Sequence, residues 1–255
     1  MLRFSIGLLL LMPAAASALS PDQIVTALSD PPATIKPGQQ FLVTDTVLNQ
    51  GAGEAGASTT RYYLKNDQGK KNLRGSRGIG PLGPSEQSEG TAPVTVYADT
   101  VAGAYSLLAC ADDTRVVDES NDSDNCLASA TAVQVLPVPD LVVTAVSDPP
   151  AAIEPGGEFS VTDTVLNQGT GKAKRSTTRY YLKNDQVKKN LKGTREIRRL
   201  RPSAQSKGTT SVTLYTDTAP GTYSFLACAD DTKVVGEKDD NNNCLASATT
   251  VVVSQ

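Results

Sequence analysis

Cys110-Ala-Asp-Asp-Thr-Arg-Val-Val-Asp-Glu-Ser-Asn-Asp-Ser-Asp-Asn-Cys126 recurs downstream as Cys228-Ala-Asp-Asp-Thr-Lys-Val-Val-Gly-Glu-Lys-Asp-Asp-Asn-Asn-Asn-Cys244. The two acidic stretches hold all four cysteines of the chain, one pair at the ends of each. The 118-residue offset between them holds without a gap from Asp22–Val135 to Asp140–Val253. A repeat of that length is one domain written twice, so the chain reads as two tandem modules. The expected division is a first module at 19–136, a proline-rich linker at 137–139 (Pro137-Val-Pro139) and a second module at 140–255.

Residues 1–18 read as a leader rather than as part of the fold. Met1-Leu2-Arg3 gives a positive start, Phe4 to Met12 is an apolar run too short for a stable span, and Ala16-Ser17-Ala18 offers a small-x-small cleavage pattern. Cleavage after Ala18 is expected, because a cut after Ser20 would place Pro21 just past the scissile bond. No cysteine follows the apolar run and no second long apolar stretch exists, so the expectation is an exported chain, extracellular or periplasmic, with neither a lipid anchor nor a membrane span.

The chain has no histidine, which removes Ser-His-Asp and Cys-His nucleophile systems and imidazole metal ligands. Four cysteines in an exported chain read as two disulfides. Three connectivities are possible, and the duplication favours Cys110–Cys126 and Cys228–Cys244, each module closing its own loop. Closing a loop of about 15 residues stabilises by about 3 kcal/mol on the chain-entropy account.

Outward from the bracketed loops, each module reads as short strands separated by turns. Gln23 to Ser29 (Leu141 to Ser147) is stopped by Asp-Pro-Pro, and Ile35-Lys-Pro-Gly38 (Ile153-Glu-Pro-Gly156) is a turn. Gln40 to Asn49 follows, with Phe41, Val43 and Val47 on one face at period two, and Asp45 on that same inward face, as is Asp163 in the twin. Such an Asp is either hydrogen-bonded in the core, turned out by a bulge, or a functional carboxylate. Thr59 to Lys65 places Tyr62 and Leu64 inward and Tyr63 outward; a polar lysine-rich stretch then leads to Ile79 and Leu82. Strands at Val94 to Tyr97, Gly103 to Ala109 and Cys126 to Val135 complete the module. About seven short strands with no helical period make an all-β chain of two tandem immunoglobulin-like β-sandwiches.

In this order the motifs resemble the CARDB domain, the cell adhesion related domain found in bacteria. The carriers are Asp140-Leu-Val-Val-Thr, the Pro-Gly turn, Phe-x-Val ending in Val-Leu-Asn-Gln-Gly, Tyr-Tyr-Leu, Leu-x-Pro, Gly-x-Tyr, and Val-Val followed by Glu and a closing Asn. The chain departs from the family pattern at Asp45 and Asp163, where an apolar residue is usual, and in its loosely kept closing Glu-Ser-Asn run. The resemblance implies a non-enzymatic module acting in adhesion or recognition, with a surface or matrix protein or polysaccharide as partner. Two alternatives stand beside it: a structural spacer or display protein without its own ligand, and polyanion binding. No catalytic constellation is legible.

Two clusters carry possible ligand chemistry. Asp118-x-Ser120-x-Asp122-x-Asp124 has the every-second-residue oxygen spacing of a calcium loop, but the twin interrupts it with Gly236 and Lys238. The acidic and amide positions kept in both copies are Asp112, Asp113, Glu119, Asp122 and Asn125, and Asp230, Asp231, Glu237, Asp240 and Asn243. Calcium is the one cofactor these suggest; the other reading is Asx side chains satisfying local backbone in a tight turn.

The second cluster is a gain of positive charge. From Pro21 to Val138 there are eight basic and fourteen acidic residues, net −6; from Pro139 onward there are fifteen and thirteen, net +2. Gly80, Pro81 and Gly83 become Arg198, Arg199 and Arg201, while Glu54, Gly56 and Ala57 become Lys172, Lys174 and Arg175. With Lys188, Lys189, Lys192 and Arg195 these suggest a basic face for an acidic polysaccharide or lipid headgroups, against the alternative of a merely solvated charged face. Nucleic acid is not expected, because aromatic residues are not interleaved with the charges.

Overall fold

The computed structural model describes residues 19–254. The expected leader at 1–18 lies outside the described residues. Among the described residues no helix is long and apolar enough to cross a membrane.

The first module is built from β1 (Gln23–Leu28), β2 (Thr34–Ile35), β3 (Gln40–Asn49), β4 (Ser58–Asn66), β5 (Gly69–Ile79), β6 (Gln87–Thr95), β7 (Gly103–Cys110) and β8 (Cys126–Val135). The second repeats it with β9 (Leu141–Val146), β10 (Ala152–Ile153), β11 (Glu158–Asn167), β12 (Ser176–Lys183), β13 (Lys188–Ile197), β14 (Gln205–Thr213), β15 (Gly221–Cys228) and β16 (Cys244–Val253). The strand order is β1-β3-β6-β5-β4-β7-β8-β2 in one and β9-β11-β14-β13-β12-β15-β16-β10 in the other. All pairings are antiparallel except the short β2–β8 and β10–β16 contacts. β5 meets β6 through a single pair, Arg74 with Thr95, so the layer β1-β3-β6 folds over the layer β5-β4-β7-β8-β2 at that point.

Alternation fills the space between the layers. Val43 and Val47 of β3 and Val94 of β6 face Tyr62 and Leu64 of β4, Leu107 of β7 and Val133 of β8 in one buried cluster. The second module repeats the cluster with Val161, Val165, Tyr180, Leu182, Phe225 and Val251. Each fully buried aliphatic side chain of this kind contributes about 1.5–3 kcal/mol.

Three strand expectations need correction. The lysine-rich stretch is not a connection but the eleven-residue strand β5, whose residues are mostly exposed and so show no apolar period. The strand expected at Val94 to Tyr97 begins at Gln87, and only Ala92 and Val94 within it are buried. The start of the Pro-Gly turn segment is not all turn, since Thr34–Ile35 pairs as β2, so the expected seven or so strands number eight. Pro137-Val-Pro139 also belongs to the second module's edge: Val138 is buried, and its carbonyl accepts the Gly171 N–H at 2.8 Å.

The inward Asp45 is resolved by long-range partners. Arg77 of β5 donates to it from Nε at 3.0 Å and from Nη2 at 2.5 Å, and the Tyr62 hydroxyl donates at 2.5 Å. Arg77 continues to the Ser88 hydroxyl and carbonyl at 3.0 and 3.1 Å. Gly90 lies directly opposite Asp45, and a Cβ there would stand 2.9 Å from Arg77 Cδ, so only glycine leaves room for the guanidinium. Asp163, Arg195, Tyr180, Ser206 and Gly208 repeat the network. A buried carboxylate is tolerated when its charge is paired and its lone pairs are filled.

Candidate functional site

Cys110–Cys126 and Cys228–Cys244 are bonded, each joining neighbouring strands of one sheet at the mouth of an acidic loop. Tyr63 packs with Leu108 and Cys110 on the outer face of the sheet. It points outward as expected, yet it is buried, because Lys70 lies over its ring at 3.6 Å.

Inside each loop the conserved-in-both-copies oxygens hold the chain itself. Asp112 adopts a positive φ of 36°, and its carboxylate accepts the N–H groups of Val116 and Val117 at 3.1 and 2.9 Å. Asp230 does the same for Val234 and Val235 at 3.3 and 2.8 Å. These are local side-chain-to-backbone bonds, in which each carboxylate holds its own loop. Asp113 accepts the Tyr63 hydroxyl and lies 3.6 Å from Lys70; Asp231 accepts the Tyr181 hydroxyl. Burial and the adjoining Asp113 push the Tyr63 hydroxyl up to about 12.

Glu119 reaches back to the start of β1, accepting the Gln23 N–H at 2.6 Å and the Asn125 side-chain amide at 2.5 Å. Glu237 accepts the Leu141 N–H at 2.5 Å and the Asn243 amide at 3.2 Å. Burial raises the Glu119 carboxyl and takes Glu237 to about 7, against the lowering effect of these hydrogen bonds. Asp122 shares a small pocket with Asp112, Asp113 and Asn125 into which Lys70 and Arg115 also project. Among the described residues no group of three or more Asp, Glu or Cys side chains is gathered as a metal site. Asp112, Asp113, Asp122 and Asn125 thus line one pocket with Glu119 bonded to Asn125 beside it, and in the twin Glu237 bonds Asn243 while Asp230 holds its own loop and Asp231 the Tyr181 hydroxyl.

The expected basic face divides into three. Arg195 leaves it altogether, since it is buried against Asp163. Lys188 lies over the Tyr181 ring at 3.9 Å, Lys189 pairs with Asp217 at 2.6 Å, and Lys192 sits 5.1 Å over Tyr215. At about 3.3 Å per residue along β13, roughly 30 Å separates Lys188 from Arg198 and roughly 20 Å separates Lys192 from it. At the far end Arg198 and Arg199 join Arg175 around a pocket of about 400 Å³, with Arg201 exposed two residues on. A hydrogen bond from Ala173 N–H to the Leu200 carbonyl at 2.9 Å ties the two loops together and brings Arg175 to its partners. In the first module the equivalent Ala55–Leu82 bridge is present, but Ala57, Gly80 and Pro81 stand where the arginines are.

Asn49 is a structural residue that sequence reasoning took only as the end of a strand. Its side-chain oxygen accepts Asp22 N–H and Gly51 N–H, and its amide donates to the carbonyls of Gly53 and Leu82. Asn167 repeats this in the twin. The Val-Leu-Asn-Gln-Gly motif was the available signal: an Asn closing an otherwise alternating strand.

The CARDB family profile matches the chain twice, at residues 20–129 and 138–247. A CARDB domain from Pyrococcus furiosus, solved in complex with di-metal ions, is 20% identical, with a TM-score of 0.34 over 48% of this chain and 95% of that one. A domain of a Methanosarcina acetivorans protein whose name assigns it to the cell surface is 22% identical, with a TM-score of 0.33 over 46% of this chain and 93% of its own. No curated protein sequence matches the chain.

Proposed function

Given that the chain belongs to the CARDB family, with one domain at 20–129 and a second at 138–247, we propose that it is a non-catalytic binding protein of the cell exterior whose second domain holds acidic polymers. The pocket of Arg175, Arg198 and Arg199 carries the reading. All three arginines line it, and among the described residues none of the three is in an ion pair. Unpaired arginines on one concavity attract sulfate, carboxylate or phosphate groups in series and present planar donor forks to them. Two disulfides agree with an oxidising exterior. A spacer without a ligand would leave this concentration of like charge, with its mutual repulsion, unexplained.

The test uses heparin as a model polyanion and the full chain. Retention on heparin should drop sharply in an Arg175→Ala/Arg198→Ala/Arg199→Ala variant. A Lys183→Ala/Lys207→Ala/Lys233→Ala variant, which removes the same charge elsewhere, should elute close to the parent. Equal shifts in both variants would show that net charge alone governs retention, and the reading would be abandoned.

A further inference from the structure

A different groove lies in the first domain, where β5 leaves its ladder with β4. Arg61 pairs with Ser76 and Tyr63 with Asn72, so the single residue Tyr62 faces three: Leu73, Arg74 and Gly75. The bulge is fixed in place. Gly75 has φ +128°, and a Cβ there would stand 2.4 Å from the Pro93 carbonyl oxygen, so β5 presses directly on β6. Bulges aim side chains away from the regular sheet. This one opens a groove of about 330 Å³ lined by Arg61, Asn72, Arg74, Ser76 and Tyr97.

The lining is chemically specific. Arg74 lies 5.6 Å over the ring of Tyr97, and among the described residues it is in no ion pair. Arg61 is half-exposed, and its nearest carboxylate, Asp113, is 3.8 Å away and already accepts the Tyr63 hydroxyl. Tyr97 is exposed. One guanidinium fork pre-oriented by an aromatic ring, a second loosely held, an amide and a hydroxyl meet around a groove whose volume is at the small end of about 300–1,000 Å³ for ligand sites.

We propose that this groove binds the carboxylate of a uronic acid residue within an acidic polysaccharide. Arg74 takes the carboxylate with two parallel N–H···O bonds, and Arg61 adds the second positive charge. The Tyr97 ring offers a flat apolar face to the sugar ring, and Asn72 and Ser76 meet its hydroxyls. The open groove lets a chain pass through. The second domain carries Arg179, Asn190, Lys192 and Tyr215 at the same places. There Lys192 replaces the Arg74 fork by a point charge, which cannot make the paired contact. The first domain, although the more acidic, is therefore the carboxylate reader. This site is separate from the arginine pocket of the second domain and does not depend on it.

Titration calorimetry with a galacturonate oligomer, and with the same oligomer methyl-esterified, tests the assignment in the full-length Arg175→Ala/Arg198→Ala/Arg199→Ala chain, where the groove is read without the arginine pocket. The acid form binds and the ester does not, whereas a sulfated oligomer of equal length without carboxylates, the other anionic source, binds that chain more weakly. Arg74→Lys weakens galacturonate binding by about tenfold or more, the loss of one good charged contact. Tyr97→Ala abolishes it while Tyr97→Phe retains it, and Lys192→Arg adds a second equivalent. Unchanged melting temperatures establish that the variants fold. Parent-like binding by Arg74→Lys and Tyr97→Ala overturns the proposal, as does no binding of galacturonate by the parent. If the Arg175→Ala/Arg198→Ala/Arg199→Ala variant alone loses galacturonate, the groove is rejected and the arginine pocket is upheld.

Discussion

Replacing Gln23 with leucine should stabilise the first domain. Gln23 is fully buried at the start of β1, and neither its side-chain oxygen nor its side-chain nitrogen has a hydrogen-bond partner. The twin position is Leu141, also fully buried, with the same backbone bond to its own domain's glutamate. The second domain thus shows the site filled by an apolar side chain of similar size. A buried polar group left unpaired costs about 1–3 kcal/mol, which the substitution returns. For a domain of this length each kcal/mol moves the midpoint by roughly 4 °C, so an increase of roughly 4–12 °C is expected. Scanning calorimetry of the full chain reads it, with Leu141→Gln marking the second domain's transition by lowering it. An unchanged or lowered first-domain transition in Gln23→Leu would show that the amide is satisfied in the folded protein, and the reasoning fails.

Asp163→Ala should cost about 3–5 kcal/mol, because it strands the buried Arg195 without a counter-charge, whereas the double variant Asp163→Leu/Arg195→Met should come back close to the parent. Guanidinium denaturation distinguishes the two. A pH dependence is also expected from Glu237, which burial, with smaller help from Asp230 and Asp240, lifts from 4.5 to about 7. Between those values the unfolded chain has lost the proton while the folded domain keeps it, so this group's contribution to stability falls as pH rises through the window and levels off above it. The second domain's melting temperature should show that fall between pH 5 and pH 7.5, and Glu237→Gln should flatten it; an equal slope in the variant would assign the dependence to other groups.

The alternation of β3, β4, β7 and β8 was legible because one face of each is apolar and the other is not. β5 was not, because its register is set by the bulge at Gly75 and its inward side spends Arg77 on a charge rather than on the core. Asp45 could be placed inward from period two alone. Its partner is 32 residues away on that illegible strand, and the glycine that makes room for the guanidinium lies on a third. The acidic loop left two readings open for a related reason. Spacing along the chain suggests convergent oxygens, but a positive φ at Asp112 turns its carboxylate onto its own loop, and φ leaves no mark in residue order.

The twins show where such a fold accepts new chemistry. The internal networks around Asp45, Glu119 and Asn49 recur at Asp163, Glu237 and Asn167 with the same partners, because each removes a buried charge or an unpaired backbone group that any substitution would expose. The charge change instead falls on two loops held to one another through backbone groups, by the Ala55–Leu82 or Ala173–Leu200 bridge and by the Asn49 or Asn167 amide on their carbonyls. A backbone bridge is indifferent to the side chains beside it, so Ala57, Gly80 and Pro81 could become Arg175, Arg198 and Arg199 with their heads in water. Exposed substitutions of that kind usually move stability by no more than about 0.5 kcal/mol. The Arg74 bulge differs, since Gly75 locks it against β6 and only the side chain at its tip, arginine in one domain and lysine in the other, is free to vary. One domain therefore differs in its loop charges and the other in the single residue at the bulge tip, and neither change touches the core that both share.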